Sequence, residues 1–215
     1  FDDNDFLFTC LNNNPDVKVS PSPVDFAVWR TDSHWQITDK YLPVEKEYTE
    51  LYGKSRYFTR YKHDIVFHSF QYDGFFTFSR KEDPVFHPIL FSRPFPRDNE
   101  SRLKEANSGQ WQLLAETPFV VDGYNIVEIS IAGQGQQMFA VNASNKIFGN
   151  SEVCPKNIPI NIIGTMGNHF VGYINDNYEL YRNLVAYGFQ KGSPEAEDIL
   201  SRGGCCLIIY SVGNL

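Results

Sequence analysis

Trp111 stands in the stretch Gly109–Phe119, GQWQLLAETPF, just after Asn107 and Ser108 and ahead of Glu116. A flat indole among Asn, Gln and Glu side chains suits one kind of chemistry. Sugar rings present C–H faces that lie on an aromatic surface. The hydroxyls around the ring want short polar groups that donate and accept in fixed directions. The wider region supplies more of this mixture: Arg93, Arg97, Asn99, Arg102, Gln110 and Gln112. Trp35, between His34 and Gln36 in an expected hairpin, is a second such combination. Trp29, inside VDFAVW, reads as a core residue. For Trp111 and Trp35, with Gln on one or both sides, an exposed platform and a packed rim residue are equally good readings.

Residues for covalent or metal chemistry do not assemble in the sequence. There is no G-x-S-x-G elbow and no glycine loop that would cradle phosphates. The histidines His34, His63, His68, His87 and His169 are dispersed, and each reads as surface or half-buried. His63 and His68 fall on opposite faces of a strand, so no zinc site is expected, and no cofactor. A glycosidase needs two carboxylates across the scissile bond. With 26 acidic residues, some pair always exists. Glu116 and Glu128 are the most interesting because they flank strand-like runs, yet each reads more readily as the partner of a nearby Arg or Lys. Asp2, Asp3 and Asp5 form a solvated acidic cluster. The expectation is a protein that is not an enzyme.

The composition bounds the remaining classes. The chain has 215 residues and a formal net charge of −7. That balance argues against nucleic acid or an anionic membrane as the main partner, since both reward clustered Lys and Arg. No window approaches the ~18 apolar residues of a membrane span, so no membrane insertion is expected. The first residue is Phe and no signal peptide is visible, which points to a mature form or an excised domain. Cys10, Cys154, Cys205 and Cys206 lack metal-ligand spacing and read mostly as small buried hydrophobes, with one bridge from Cys10 left open. Asn99-Glu100-Ser101 and Asn142-Ala143-Ser144 match the glycosylation pattern.

The elements that must position these residues read as strands. Aromatic residues reach 15%, with 18 Phe and 12 Tyr, which favours pleated sheet. Short apolar runs recur at 5–11, 24–29, 65–70, 75–78, 85–91, 126–131, 138–141, 158–163, 169–174 and 205–212. Asp73-Gly74 reads as a tight hairpin. One helix is predicted over 193–202: Ser193 caps it, Pro194 suits its first position, acids fill its first turns and Gly203 closes it. Ala196, Ile199 and Leu200 share its apolar face. Asn177–Tyr187 reads equally as helix or strand. The whole reads as one domain over 1–215, with an N-terminal arm at 1–23, a β core at 24–174 and a C-terminal extension at 175–215.

From about Asp73 to Ile174, the sequence resembles a galectin carbohydrate-recognition domain. Phe75–Ser79 looks like the strand before that family's sugar-binding strand. Ile89–Phe95 is similar to its His-Phe-Asn-Pro-Arg-Phe strand. Asn107–Trp111, Pro118-Phe119 with Asp122-Gly123, Phe139–Asn142 and Ile160–Ile174 resemble its later motifs. The chain departs where the family holds sugar: Leu90 stands at the histidine, Ser92 and Pro94 at the asparagine and arginine, and Gln112 follows the tryptophan in place of Gly. What transfers is Asn107, Trp111 and Glu116. Rotavirus spike heads, which have a galectin-like fold in several groups, are a second resemblance. Ser22-Pro23-Val24-Asp25-Phe26 is similar to the Pro-Pro-x-Asp-Tyr entry to that head.

Together these readings predict an all-β, mainly antiparallel fold: a galectin-like β-sandwich with one short C-terminal helix, or alternatively a divergent sheet wrapped around a short helix. They predict a lectin for galactose or N-acetyllactosamine-type glycans, placed at a virion surface or outside the cell, with cell-surface glycans as partners and oligomers formed through the parent protein. The expected glycan-binding residues are Trp111, Asn107, Glu116, Arg93, Arg97, Gln110 and Trp35. An animal galectin-like lectin, a glycoside hydrolase and a protein-interaction module are the alternatives.

Overall fold

The computed structural model describes residues 5–9, 25–44, 54, 56–80, 82–96, 98–105, 110–121, 123–142, 144, 146–148, 161–188 and 190–211. The fold is all-β with antiparallel strand pairing, plus short helices. The chain forms two compact units, Phe1–Pro118 with Val127–Gln137, and Phe119–Ile126 with Met138–Leu215.

In the first unit, β1 (Phe6–Thr9), β2 (Phe26–Thr31) and β3 (Ile37–Pro43) form one antiparallel sheet in the order β1-β2-β3. β4 (Phe58–Tyr61), β5 (Asp64–Phe67), β6 (Gly74–Phe78) and β7 (Val85–Pro88) form another, a meander. Ala27, Val28, Phe67, Phe76 and Phe78 are buried together between the two sheets, with Leu7, Tyr41 and Phe58 packed around them. The Phe67 and Phe78 rings meet edge to face at 6.3 Å, and Tyr41 meets Phe78 likewise at 5.3 Å. Such contacts add to the area term, and each buried Phe is worth about 3–5 kcal/mol against truncation. The tight two-residue connection lies at Lys62-His63 between β4 and β5, where Tyr61 pairs with Asp64. Asp73-Gly74 is not that turn, because Gly74 is already the first residue of β6, paired with Pro88.

Beyond β7 come the short helix α1 (Asn99–Glu105) and β8 (Gln112–Leu114). The Asp98 carboxylate caps α1 by accepting from the Ser101 N–H at 2.7 Å, which lowers its pKa. β8 pairs with the later part of β10 (Tyr124–Ile131), Leu113 opposite Ser130.

The second unit takes β9 (Phe119–Val121), which pairs with the start of β10, then the later part of β11 (Gly135–Asn142) with β12 (Ile147–Phe148). The Asn142 carboxamide holds the β11–β12 turn by accepting from the N–H groups of Ser144 and Lys146. β13 (Asn161–Met166), β14 (His169–Asn175) and β15 (Cys205–Tyr210) form a three-stranded sheet. Along β14, Phe170 and Ile174 lie four residues apart and so on one face. Phe170 packs with Phe119, Ile126 and Ala140. Ile174 packs with Tyr181, Leu184 and Leu200 from the helices α2 (Tyr178–Ala186) and α3 (Pro194–Ser201).

The C-terminal helix sits where its capping residues require. Ser193 accepts from the Ala196 N–H, Pro194 opens the first turn, and the N–H groups of Gly203 and Gly204 close the last. The ambiguous stretch 177–187 is a helix, capped by Asn177. Within α3, Ile199 is exposed and only Leu200 is fully buried, so the apolar face is narrower than the sequence spacing suggests. Cys205 and Cys206 are free thiols on opposite faces of β15, the first exposed and the second packed beside the helices.

Candidate functional site

Three of the sequence-predicted residues, Arg93, Gln110 and Trp111, line one shallow depression of about 210 Å³ in the first unit. Ser92, Gln112, Ile131, Ala132 and Gln134 complete it. Its construction is main-chain work. The Gln112 N–H donates to the Arg93 carbonyl at 2.8 Å, and the Phe95 N–H donates to the Gln112 carbonyl at 3.1 Å, so segment 92–95 runs beside β8. Phe95 is buried and anchors that segment, and the Trp111 ring meets it edge to face at 4.9 Å. On the other side, the Ala132 N–H donates to the Trp111 carbonyl at 3.0 Å, which brings up the β10–β11 turn and Gln134. Trp111 is therefore neither core nor free-standing: it is half-buried, fixed at one edge.

The polar chemistry of this depression favours donors. The Gln110 carboxamide oxygen accepts from Arg93 Nη1, and that of Gln112 accepts from Ser92 Oγ at 3.1 Å. The Gln134 oxygen accepts from Gln137 at 3.0 Å. Each of these oxygens already accepts one bond, and the described hydrogen bonds use none of the three Nε2 groups, which stand as donors beside the ring. An aromatic ring bordered by amide donors is complementary to hydroxyl oxygens. Small-molecule pockets usually enclose about 300–1,000 Å³, so this smaller concavity suits one ring laid on a surface.

The other predicted residues fall elsewhere. Asn107 and Arg97 lie outside the described residues. Glu116 does not line the depression. It is 8% exposed, and its Oε2 accepts from the main-chain N–H of Arg56 at 3.0 Å. Arg56 also donates to the Thr117 carbonyl at 3.1 Å and to Glu128 Oε1 at 3.2 Å. The two acids that the sequence singled out therefore share one arginine. His68 lies beside this network. It is fully buried, against the expectation for every histidine, with its ring nitrogens 2.7 Å from the Gly74 carbonyl and 2.9 Å from that of Leu114. Burial holds its pKa well below the usual range, and the Lys54 ammonium adds to that effect.

Trp35 occupies a second place in the first unit, the tip of the β2–β3 hairpin. It is 63% exposed and adopts φ 63°, the left-handed region that a bulky side chain rarely enters. Phe6 stacks on it at 5.1 Å with rings 15° from parallel, and Phe8 lies against it at 5.4 Å. The sequence gives no direct signal for these two partners. In DFLFT both strand faces are apolar, and only the register decides that Leu7 turns inward. Ser92 and Gln134 were likewise hidden, because surface glutamines and serines carry no periodic signal, whereas Gln112 belonged to the polar mixture read around Trp111.

In the second unit, a larger concavity of about 440 Å³ lies between α2 and α3, lined by Glu179, Arg182, Asn183 and Glu197 among others. Its one aromatic wall, Tyr181, is buried and exchanges hydrogen bonds with the main chain of Ser193. It offers charge without an exposed aromatic face.

No family model matches the sequence, and no curated protein matches it. Among solved structures, the fold is similar to that of a protein from Bacteroides fragilis NCTC 9343 named as a candidate exported protein. The TM-score is 0.61 at 12% identity, over 96% of this chain and 62% of the other, so this chain spans less than two thirds of that protein's length. The likeness is one of fold.

Proposed function

We propose that the protein is a non-enzymatic carbohydrate-binding domain that recognises galactose or N-acetyllactosamine-type glycans at a cell surface. One observation carries the reading: Arg93, Gln110 and Trp111 converge on a single shallow depression whose amide donors border an aromatic ring. The resemblance to galectins supports the sugar class, and the resemblance to spike heads supports a role in attachment at a virion surface. An extracellular location also accords with the naming of the B. fragilis structural neighbour as a candidate exported protein. A hydrolase is the weaker reading. Such an enzyme needs two carboxyl groups facing a scissile bond, one of them kept protonated. Here the Glu116 and Glu128 carboxylates both hold Arg56.

The test is a broad glycan array with the wild-type domain beside Trp111→Ala and Arg93→Ala. Binding to galactose-containing glycans is expected, reduced tenfold or more in each variant while circular dichroism shows the fold retained. No binding of the wild type to any glycan would discard the reading in favour of a protein partner.

A further inference from the structure

We propose that Trp35, with Phe6 and Phe8, forms a second carbohydrate site that takes the C–H face of a neutral pyranose ring independently of the Trp111 depression. The proposal rests on the reading of the protein as a glycan binder, but on different residues. Its first support is the effort with which the hairpin presents Trp35. The Asp32 carboxylate accepts from the N–H groups of His34 and Gln36, both at 2.9 Å. The Trp35 N–H donates to the Asp32 carbonyl at 3.1 Å, and the Asp32 N–H donates to the Gln36 carbonyl at 3.1 Å. Four hydrogen bonds thus fix a left-handed residue that Gly or Asn would occupy without strain. A strained tryptophan with 63% of its surface in solvent is poorly explained by stability alone.

The second support is the shape of the aromatic group. Phe6 covers one face of the indole at 5.1 Å and nearly parallel. Phe8, at 39% exposure, and Ile37, at 56%, extend the apolar surface. Among the described residues Phe6 and Phe8 are the rings against the indole, and with 63% of Trp35 exposed, indole surface remains for a stacked sugar. His34 and Gln36 flank it with polar side chains at the hairpin tip.

Charge decides between occupants. The registers place Phe6, Thr31 and Ile37 across from one another on one sheet face, and Phe8, Trp29 and Lys40 beside them on the same face. Arg30 and Asp39 lie on the opposite face, 3.9 Å from each other. Lys40 alone is charged on the aromatic face of these three strands, and its ammonium lies over the Phe26 ring at 5.7 Å. The Asp32 carboxylate is turned to main-chain N–H groups. A neutral ligand fits this surface; among the described residues an anionic lipid headgroup finds only Lys40 as counter-charge, and a cationic peptide finds none.

The experiment titrates galactose, glucose, N-acetylglucosamine and lactose, each at millimolar concentration, against wild type, Trp111→Ala, Trp35→Ala and the double variant, read by saturation-transfer NMR. Trp111→Ala is expected to keep saturable binding to at least one of these sugars, and adding Trp35→Ala to weaken it tenfold or more. Trp35→Phe keeps a flat ring and should bind within about threefold of wild type. Trp35→Gly removes the backbone strain, so it should fold with an unchanged or higher thermal midpoint and still lose binding. If Trp111→Ala alone abolishes all binding, or Trp35→Ala changes nothing in either background, the second site is overturned while the domain remains a lectin. If wild type binds none of the sugars and the array is also blank, both readings fall. Association with neutral phosphatidylcholine vesicles that depends on Trp35, without sugar binding, would overturn the site in favour of a lipid surface.

Discussion

The ring Nε2 of His68 lies 2.9 Å from the main-chain oxygen of Leu114, and its Nδ1 lies 2.7 Å from that of Gly74. The imidazole thereby ties the start of β6 to the end of β8. Both partners are acceptors, so a doubly protonated ring would satisfy both. Burial opposes that charge, and so does the ammonium of Lys54, which donates to the carbonyl of His68 itself at 2.8 Å. Burial is the larger effect, and the ring stays neutral, donating to one carbonyl.

A histidine with a depressed pKa destabilises the native state under acid. The unfolded chain takes up a proton near pH 6.5, while the folded ring does so only at much lower pH. The contribution of His68 is therefore complete above about pH 6.5 and is lost as pH falls from there towards the folded pKa. Denaturant midpoints measured at pH 7.5 and pH 5 should fall in the wild type. His68→Gln should be less stable by about 2 kcal/mol at pH 7.5, because a buried carbonyl loses its donor, and should show a smaller drop between the two pH values. Equal pH dependence in both proteins would refute this.

Glu116 belongs to the framework. Its carboxylate satisfies the Arg56 main-chain N–H in a place with little access to water. Glu116→Ala is expected to cost about 1–3 kcal/mol, the penalty of an orphaned buried donor. Glu116→Gln keeps an acceptor and should cost less. Glycan affinity of the folded fraction should stay within twofold in both. Unchanged stability with lost sugar binding would return Glu116 to the site.

Gly74 admits no side chain. Its φ is 151°, and a Cβ there would lie 2.3 Å from the His87 carbonyl oxygen and 2.8 Å from the Phe86 ring. The carbonyl belongs to the paired strand and cannot swing aside. Gly74→Ala should lower the unfolding free energy by about 2 kcal/mol or more, measured by urea denaturation, and a change below 0.5 kcal/mol would contradict the close approach.

Much of the fold was legible because strands announce themselves by apolar runs. Each of the ten runs read from the sequence contributes residues to a strand, from β1 at Phe6–Thr9 to β15 at Cys205–Tyr210. Those missed have reasons. β3, ITDKYLP, is largely exposed and reads as polar, while β8 and β9 have three residues each, too short for a period to show. α1 lies in a charged stretch without an apolar face to mark it. Of the candidate site, the residue types were legible and the grouping was not. Arg93, Gln110 and Trp111 meet because main-chain bonds lay segment 92–95 along β8. Glu116, only five positions from Trp111, goes to another network.

The sequence by itself determined the class of structure, the capped C-terminal helix and the chemical character of the surface, because propensity, capping and side-chain inventory are local properties. Ser193 and Pro194 start a helix wherever that helix docks. Tertiary structure alone decided which tryptophan is presented and with whom. Phe6 reaches Trp35 across sheet register, and Glu116 faces Arg56 sixty positions away. The first contact depends on which strand faces are turned together, and a shift of one residue in register would turn Phe6 the other way; the second depends on the fold bringing the segment before β4 beside the segment after β8.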